Sequence, residues 1–347
     1  MTANPPMRRI VADLNQVTVA RVERPEPGPR DALVRMNVTG VCGSDTHAVH
    51  GRHPFIPLPY HPGHEVVGVV EAVGADVTDV VAGQRVTVEP TLPCGECKMC
   101  STGRANLCEN LKFFGCGWEE GGMADFFTVR ADRLHIVPDD LDDLTAALIE
   151  PLSTPVHAVR LAGDVAGKAV AILGAGPIGL LVLAVVRAHG ARRVVVTDML
   201  EAKRERAVAL GADAVADAGA ADVGDQVRAA LGESADVVFD CVAIQATVSQ
   251  AVGLASKGGT VVVVGVPARE VTVPLPVIQD HQIRIQGSAT YVAEDYRESI
   301  ELLQTGAVAR RDLVTAVHGL DDAAAAFADA ASGAHVKVLI TAADPRP

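Results

Sequence analysis

The feature that most restricts the fold is the alternation of apolar strands with amphipathic helices from residue 169 onward. The segments "AVAILG", "RVVVTD", "DVVFDC" and "GGTVVVVG" have the valine-rich composition of buried strands, and "PIGLLVLAVVRAHG" and "EAKRERAVALGA" have helical periodicity. Strands that alternate with helices at this spacing form a parallel sheet, because each parallel connection needs a crossover. We therefore predict an α/β fold with a doubly wound parallel sheet over residues 155–287.

The turn after the first of these strands carries a glycine pattern, G-x-G-x-x-G, at Gly174, Gly176 and Gly179. Gly174 would form the tight turn, Gly176 would let a pyrophosphate approach the backbone, and Gly179 would let the helix pack closely. Pro177 suits a first helical turn, which also contains Ile178. Because helix N-termini bind anions, the pattern predicts a dinucleotide site at these residues.

The carboxylate of Asp198 ends the second strand, about 20 residues beyond the glycines. A carboxylate at this position accepts hydrogen bonds from ribose hydroxyls and repels a 2′-phosphate, so NAD is favoured over NADP. Lys203 follows closely and could contact the same ribose. The competing interpretation is an Asp198 that only caps the next helix, and the upstream glycines favour the ribose contact.

The N-terminal part of the chain has a different pattern, with short valine-rich runs bounded by turn residues. "ALVRMNVTGV", "EVVGVVEAVG" and "VAGQRVTVEP" predict antiparallel strands in a barrel or sandwich, with residues 41–65 as a long loop. The strand–helix alternation fades after Gly287, where a helix-rich tail with one last strand, "VKVLIT", is expected to return to the first domain. A chain of 347 residues exceeds one ordinary core. The predicted domains are 1–154, 155–287 and 288–347.

Four cysteines lie close together in "CGECKMCSTGRANLC", at Cys94, Cys97, Cys100 and Cys108. Four thiolates in so short a segment can complete a tetrahedral zinc site, which is structural because no coordination position stays open. A ferredoxin-type iron–sulfur site is the alternative, since its cysteines are similarly spaced. The segment 94–108 is therefore predicted to be a structural zinc lobe.

A second set of metal ligands lies in the segment "VCGSDTHAVHGRHPFIPLPYHPGHE". Cys42 offers a thiolate, His64 an imidazole and Glu65 a carboxylate, a mixed set typical of catalytic zinc with an open position. Asp45 is a candidate partner for the ring N–H of a ligating histidine. We therefore predict a catalytic metal site at these residues.

Ser44 and His47 lie in the same segment. A hydroxyl followed by an imidazole can move a proton from a buried alcohol towards water, so the pair is a candidate proton relay. His50, His53 and His61 are interpreted as surface or loop-packing histidines.

Charge and composition exclude several kinds of partner. A net charge of −13 without a basic stripe argues against nucleic acid. No apolar run approaches the roughly 20 residues that span a membrane, and the N-terminal segment lacks an apolar signal-peptide region, so we expect a cytoplasmic protein without a membrane partner. Seven cysteines in such a protein favour metal or thiol chemistry over disulfides, with Cys116 and Cys241 as small core residues.

The motifs "GVCGSDTH", "PGHEVVGVV", "CGECKMCSTGRANLC", "EPLSTPVHA" and "VAILGAGPIG" occur in an order that resembles the zinc-dependent medium-chain alcohol dehydrogenases over nearly the full length. Glu150, in "IEPLST", stands where the liver-type enzymes have cysteine and is similar to the sorbitol/polyol and threonine dehydrogenase branch. The resemblance implies a GroES-like β-rich catalytic domain and a Rossmann NAD-binding domain.

The resemblance also implies roles for individual residues. It implies metal ligation by Cys42, His64, Glu65 and Glu150 at a catalytic zinc, and by Cys94, Cys97, Cys100 and Cys108 at a structural zinc. The two glutamates, Ser44 and His47 are then the catalytic residues, with Ser44 and His47 as the proton relay. Contacts to the nicotinamide side of NAD are implied for Thr154 and for the strand end "VVGVP", with Val264 and Val266.

The activity that this resemblance implies is hydride transfer between NAD and a secondary alcohol, a polyol or sugar-derived alcohol, to give the ketone. A 2,3-butanediol or threonine 3-dehydrogenase is the alternative within the same class. Outside it stand a zinc-free quinone or enoyl reductase, which lacks these ligand sets, and a non-enzymatic zinc-binding protein on this scaffold. By analogy with the polyol branch we expect a homo-oligomer, with a tetramer favoured.

Overall fold

The structure, a computed structural model, describes residues 6–118 and 120–343. The strands, in chain order, are β1 (Met7–Asp13), β2 (Gln16–Val22), β3 (Asp31–Val41), β4 (Glu65–Val73), β5 (Arg85–Val88), β6 (Thr91–Leu92), β7 (Lys112–Phe113), β8 (Phe126–Arg130), β9 (Leu134–Ile136), β10 (Ala169–Leu173), β11 (Arg193–Asp198), β12 (Ala214–Asp217), β13 (Ala235–Asp240), β14 (Ala255–Val263), β15 (Arg284–Gly287), β16 (Val314–Gly319) and β17 (Lys337–Thr341). The α-helices are α1 (Gly43–Val49), α2 (Lys98–Ser101), α3 (Asp143–Ala146), α4 (Ile149–Ala162), α5 (Pro177–Ala188), α6 (Glu201–Ala209), α7 (Val223–Leu231), α8 (Gln245–Leu254), α9 (Leu275–Asp280), α10 (Ala293–Gln304) and α11 (Ala323–Ala331).

The described residues form two compact units. Unit 1 contains those of Met1–Pro151, Val292–Gln304 and Ala309–Pro347, and unit 2 contains those of Leu152–Tyr291 and Thr305–Val308. Most of the C-terminal tail therefore lies with the N-terminal part of the chain. Whether residues 154 and 287 also separate domains with different functions remains a prediction.

Unit 1 is built around a seven-stranded sheet with the order β16-β17-β3-β4-β5-β9, in which β8 also pairs with β3. Strand β3 is antiparallel to β4, β8 and β17, whereas β16 and β17 are parallel. Buried side chains such as Met36, Phe127 and Val338 form its core. Because Gly40 pairs with Glu65 and Val41 with Val338, the end of β3 brings β4 and β17 to within one strand of each other.

Unit 2 contains a six-stranded sheet with the order β12-β11-β10-β13-β14-β15, and all of its pairs are parallel. Strand order reverses direction at β10, and in such sheets ligands bind beyond the carboxyl ends of the strands at that switch point. The apolar runs of β10 and β11 are buried because helices cover both faces of a parallel sheet. The structure confirms the predicted combination of a β-rich domain with a doubly wound parallel sheet.

Three elements differ from the sequence expectations. Residues 41–65, expected to be a long loop, contain α1, whose N-cap Cys42 donates its backbone N–H to the Asp45 carboxylate at 2.9 Å. This local bond stabilises the helix start, and hydrophobic periodicity does not reveal it. Strands β12 and β16 are short and largely half-buried, so no clear apolar alternation marks them in the sequence.

None of the described helices is long and apolar enough to cross a lipid bilayer. All seven cysteines carry free thiols. Their sulfur atoms are therefore available as metal ligands.

Candidate metal and nucleotide sites

The four cysteines of segment 94–108 form a compact sulfur cluster in unit 1. The Sγ atoms are 3.5 Å apart in the pairs Cys97–Cys100 and Cys94–Cys108, 3.8 Å in Cys97–Cys108 and 4.0 Å in Cys94–Cys100. Sulfurs that bind one tetrahedral zinc at about 2.3 Å lie ~3.8 Å from each other. The cluster therefore fits a single zinc ion, and a core of several iron atoms has no room between sulfurs this close.

Backbone amides support the thiolates of this lobe. The Cys94 N–H donates to Cys108 Sγ at 3.3 Å, and the Cys97 N–H donates to Cys94 Sγ at 3.4 Å. Hydrogen bonds from the backbone of Cys100 and Glu109 lower the pKa of the Cys97 thiol to about 6. At Cys97 the local fold thus favours the deprotonated sulfur, which is the form that binds metal.

Cys42, His64 and Glu65 also come together in unit 1. One possible ligand atom of each lies within 4.8 Å of the other two. Cys42 is the N-cap of α1, His64 immediately precedes β4, and Glu65 is the first residue of that strand. His64 and Glu65 are buried and Cys42 is half-buried, so a thiolate, an imidazole and a carboxylate share a site largely shielded from water.

The proton balance of His64 shows why this group suits a cation. Burial lowers the pKa of His64, but the charge of Cys42 and a hydrogen bond with it raise that pKa well above its ordinary value. Thiolate and imidazole thus hold a proton that a divalent metal would displace on binding. His64 Nδ1 lies 3.5 Å from the carbonyl oxygen of Gly115.

Glu65 is held by a lysine that the sequence analysis did not single out. Lys337 Nζ lies 2.6 Å from both carboxylate oxygens of Glu65, and the two side chains are 6% and 1% exposed. Burial lowers the pKa of Lys337, but the charges of Glu65, Cys42 and Glu150 and the hydrogen bond with Glu65 together raise that pKa above its ordinary value. A Cβ on Gly40 would lie 1.9 Å from Glu65 Oε2, so only glycine leaves room for the carboxylate. The signal in the sequence is a lysine inside the apolar run "VKVLIT".

Glu150 lies in the first turn of α4 and is buried. It interacts electrostatically with His64 and with Lys337. Its oxygens are not part of the group formed by Cys42, His64 and Glu65. The centre therefore has one carboxylate paired with a lysine and a second one nearby.

Asp45, expected to orient His64, makes its hydrogen bonds elsewhere. Its Oδ1 accepts from the hydroxyl of Tyr60 at 2.7 Å, and its Oδ2 accepts from the Cys42 N–H at 2.9 Å. Burial raises the pKa of Asp45 and the charge of His64 lowers it, so the Asp45–His64 interaction is electrostatic. Tyr60 is a second residue that sequence reasoning missed, because nothing in the sequence relates it to Asp45.

The two residues of the predicted relay lie on α1, three positions apart and hence on one side of the helix. Ser44 Oγ is buried and makes no hydrogen bond of normal geometry among the described residues, although the Cys116 thiol lies close to it. His47 is exposed. A buried hydroxyl without a partner is ready to bond a substrate hydroxyl, since buried polar groups are normally satisfied.

The glycine pattern lies in unit 2 between β10 and α5. Gly174 has a φ of +98°, and a Cβ on Gly179 would lie 1.8 Å from the Gly174 carbonyl oxygen. A Cβ on Gly176, the N-cap of α5, would meet no atom within 4 Å. Pro177 opens the helix, with Ile178 half-buried beside it. The open space at a helix N-terminus fits the pyrophosphate of a dinucleotide.

Asp198 lies at the end of β11, next to the glycine turn. Its Oδ2 accepts from the Ala175 N–H and its Oδ1 from the Leu200 N–H, each at 2.9 Å. A carboxylate offers about four acceptor positions, so capacity remains for ribose hydroxyls. Lys203 is half-buried in the first turn of α6, and Arg204 Nη1 donates to the Asp198 carbonyl oxygen at 2.8 Å.

The residues expected at the nicotinamide end also lie in unit 2. Thr154 is half-buried on α4. Val264 is buried just after β14, and Val266 is 64% exposed. Their contacts to a cofactor stay predictions.

Known proteins resemble this chain in both units. The family models that match are an alcohol dehydrogenase GroES-like domain over residues 28–139 and a zinc-binding dehydrogenase over residues 177–305. D-xylulose reductase A of Aspergillus oryzae is 33% identical over 333 residues, which are 93% of each chain. The structure of 2R,3R-butanediol dehydrogenase from Bacillus subtilis superimposes with a TM-score of 0.90 at 27% identity, over 97% of this chain and 100% of that one.

A third similar protein bears on the cofactor. A Sinorhizobium meliloti 1021 protein, named as a zinc-binding dehydrogenase and solved with NADP bound, has a TM-score of 0.90 and 34% identity, over 97% of this chain and 100% of that one. The similarity thus extends over both units, and the residues of both ligand sets are in place. The chain therefore belongs to the zinc-dependent medium-chain alcohol dehydrogenase family.

Proposed function

We propose that the chain is a zinc- and NAD-dependent dehydrogenase that oxidises a secondary hydroxyl of a polyol or sugar-derived alcohol to the ketone, with NADH and a proton as the other products. The observation that carries this proposal is the group of Cys42, His64 and Glu65 within 4.8 Å, together with the buried hydroxyl of Ser44, which makes no hydrogen bond of normal geometry within the described part of the chain. The similarity to D-xylulose reductase A over most of both chains supports the substrate class.

Cys42 and His64 would hold the catalytic zinc, with a carboxylate from Glu65 or Glu150 completing the protein ligands. Such a mixed set leaves one coordination position open, as a catalytic site requires. When bound, zinc supplies a Lewis acid that makes an alcohol more acidic, and NAD supplies the hydride acceptor. Glu65 bonds Lys337 through both oxygens, so it contributes to the centre as a fixed charge even where Glu150 is the ligand.

The remaining proton chemistry would belong to α1. Ser44 Oγ would accept the proton of the substrate hydroxyl while its own hydroxyl proton moves on towards His47, because it is buried and has no other hydrogen bond of normal geometry among the described residues. His47 is exposed and would pass a proton to water. Partial desolvation by neighbouring residues and the nearby charges of Arg52 and His50 lower the pKa of His47, so its ring is largely neutral and able to accept a proton at neutral pH.

NAD would bind in unit 2 along the glycine turn. Gly174, Gly176 and Gly179 would hold the pyrophosphate with the N-terminus of α5, and Asp198 would bond the adenosine ribose. The carboxylate of Asp198 favours NAD over NADP, although a similar protein was solved with NADP. Lys203 lies in the helix turn that follows and would contact the same ribose.

We also propose a cytoplasmic homo-oligomer, with a tetramer favoured by analogy. β15 is an edge strand of its sheet, and the apolar side chains of Ile285 and of Leu275 and Val277 on α9 are exposed. An apolar sheet edge can pair with a second copy of the chain. Sedimentation velocity would test the oligomeric state.

The seven free thiols support the proposed cytoplasmic location, because a reducing compartment keeps cysteines free.

A panel of polyols, diols, amino alcohols and sugars, assayed for NADH formation, tests the proposed reaction. The highest kcat/KM is expected for a polyol. A maximum with 2,3-butanediol would support the second candidate, which the similarity to the Bacillus subtilis enzyme favours. Absence of turnover with every alcohol, in protein that carries zinc, would contradict both.

Metal analysis should find about two zinc ions per chain, one for each ligand set. Cys42→Ser is expected to lose the catalytic zinc alone, and Cys97→Ser the structural zinc alone, because the two groups share no ligand. Stoichiometry can be measured by inductively coupled plasma mass spectrometry. A wild-type value near one would remove one of the two assignments.

Ser44→Ala should slow hydride transfer about 100-fold and leave NAD affinity unchanged, since only the proton acceptor is lost. Single-turnover NADH formation and a fluorescence titration with NADH separate the two quantities. Thr39→Val is the matched control, because Thr39 Oγ1 is likewise buried, makes no hydrogen bond to the residues that the structure describes, and lies on β3. Equal rates for wild type and Ser44→Ala would contradict the relay.

Asp198→Asn should raise the NAD dissociation constant about tenfold and reduce discrimination against NADP, because the ribose loses a charged acceptor. Asparagine keeps the size of the side chain, so the glycine turn is disturbed little. Asp217→Asn is the control, since Asp217 ends the adjacent strand β12 in register with Asp198. Isothermal titration with both cofactors measures the effect. An unchanged ratio of affinities would show that another residue reads the ribose.

A further inference from the structure

A buried hydrogen bond links the two chain segments that carry Cys42 and His64. The hydroxyl of Tyr60 donates to Asp45 Oδ1 at 2.7 Å, and the two residues are 4% and 0% exposed. The second oxygen of Asp45 accepts from the backbone N–H of Cys42 at 2.9 Å. One carboxylate therefore connects the Tyr60 side chain to the backbone of a candidate metal ligand.

Tyr60 is itself held in a fixed position. Its N–H donates to the Ala12 carbonyl oxygen at 2.9 Å, and the Ala12 N–H donates to the Tyr60 carbonyl oxygen at 3.0 Å. Its ring belongs to the hydrophobic core of unit 1, together with Ile10 and Ala48. Because the backbone and the ring of Tyr60 are both fixed, its hydroxyl holds the Asp45 carboxylate in a defined position.

The chain direction makes this link relevant to both ligands. Tyr60 lies four residues before His64, and Asp45 lies three residues after Cys42. The Tyr60–Asp45 bond therefore joins the start of α1 to the segment that leads into β4. Asp45 accepts hydrogen bonds from Tyr60 and from the Cys42 backbone, and not from the His64 ring. Asp45 therefore influences the geometry of the metal ligands through the position of Cys42.

We propose that Tyr60 is a positioning residue of the metal centre, whose hydroxyl fixes Asp45 and thereby the backbone that presents the Cys42 thiolate. The inference rests on the proposed zinc at Cys42 and His64. Partners outside the ligand set typically change metal affinity 10- to 100-fold when they are removed. Loss of the Tyr60 hydroxyl therefore lowers the metal affinity of the Cys42 centre, whereas the metal affinity of the four-cysteine lobe is unchanged.

The test compares Tyr60→Phe with Tyr296→Phe in the full-length zinc-loaded protein. Tyr296 is the matched control because it is also fully buried in unit 1, and its hydroxyl donates to the Val88 carbonyl oxygen at 2.9 Å. Zinc release to an excess of EDTA gives one phase for each metal, and the Cys42→Ser protein identifies the phase of the cysteine lobe. A sample with cobalt at the Cys42 centre and zinc in the four-cysteine lobe reports the Cys42–metal bond through its thiolate charge-transfer band.

Tyr60→Phe is expected to release the metal of the Cys42 centre at least about tenfold faster and to shift the cobalt band, with the lobe phase unchanged. Tyr296→Phe is expected to change neither. Wild-type release and spectrum in Tyr60→Phe, or equal acceleration in Tyr296→Phe, would overturn the inference. If Tyr60→Phe does not fold, Asp45→Ala removes both acceptors of the same connection, and wild-type release there would overturn the inference as well. A wild-type protein that binds metal in the lobe alone would instead contradict the proposed function.

Discussion

Lys337→Met is expected to lower the free energy of unfolding of unit 1 by about 3–5 kcal/mol, the usual result of removing one partner from a buried ion pair. The Glu65 carboxylate is 1% exposed and would lose the ammonium that now lies 2.6 Å from both of its oxygens. Urea denaturation followed by the fluorescence of Trp118 measures this change, because the chain has a single tryptophan and it lies in unit 1.

Two further variants separate this effect from a general loss of charge. Lys257→Met removes a lysine that lies 3.7 Å from Asp280 with both side chains more than 70% exposed, and it should cost less than about 1 kcal/mol. The double variant Lys337→Met with Glu65→Gln should recover part of the lost stability, since no unpaired charge stays buried. Wild-type stability in Lys337→Met would show that the pair contributes nothing to the fold.

Two alanine variants in the glycine turn are expected to lose different properties, stability in Gly179→Ala and NAD binding in Gly176→Ala. Gly179→Ala places a Cβ 1.8 Å from the Gly174 carbonyl oxygen, and the required backbone shift should destabilise unit 2 by about 3 kcal/mol. Gly176→Ala places its Cβ in open space at a backbone conformation that alanine adopts readily, so stability should be unchanged. The same methyl group would occupy the volume proposed for the pyrophosphate, so NAD binding should fall at least about 100-fold.

Each variant is the control for the other. Thermal unfolding by circular dichroism and isothermal titration with NAD, both on the full-length protein, give the two quantities. Normal NAD affinity in Gly176→Ala would contradict the proposed pyrophosphate position. Normal stability in Gly179→Ala would show that the turn can relax around an added methyl group.

The nucleotide half of the fold was predictable because its signals are local. The run from Ala169 to Asp198 contains strand, turn, helix and strand in direct succession, and the glycines act through their own backbone conformations. The four cysteines are equally local, since a single lobe brings all their sulfurs within 4.0 Å of a neighbour. Short elements without apolar alternation, such as β16, were beyond this reasoning because their pairing partners stabilise them.

The catalytic group was only partly predictable. The sequence indicates Cys42, His64 and Glu65 as ligand types, but it contains no information on which distant residues touch them. Asp45 illustrates the limit, since its expected hydrogen bond to His64 is replaced by bonds to Tyr60 and to the Cys42 backbone. When a side chain has several possible hydrogen-bond partners, the geometry of the whole unit determines which of them it contacts.

The sequence alone determined the parallel sheet, the glycine turn and the sulfur lobe, because residues close in the chain produce each of them. Only the tertiary structure decided that Lys337 neutralises Glu65, since these residues are 272 positions apart and meet through the pairing of β17 and β4 with β3. The physical reason is that a buried charge is stable only beside an opposite charge. The fold can supply that partner from any position in the chain, so the separation in sequence does not predict it.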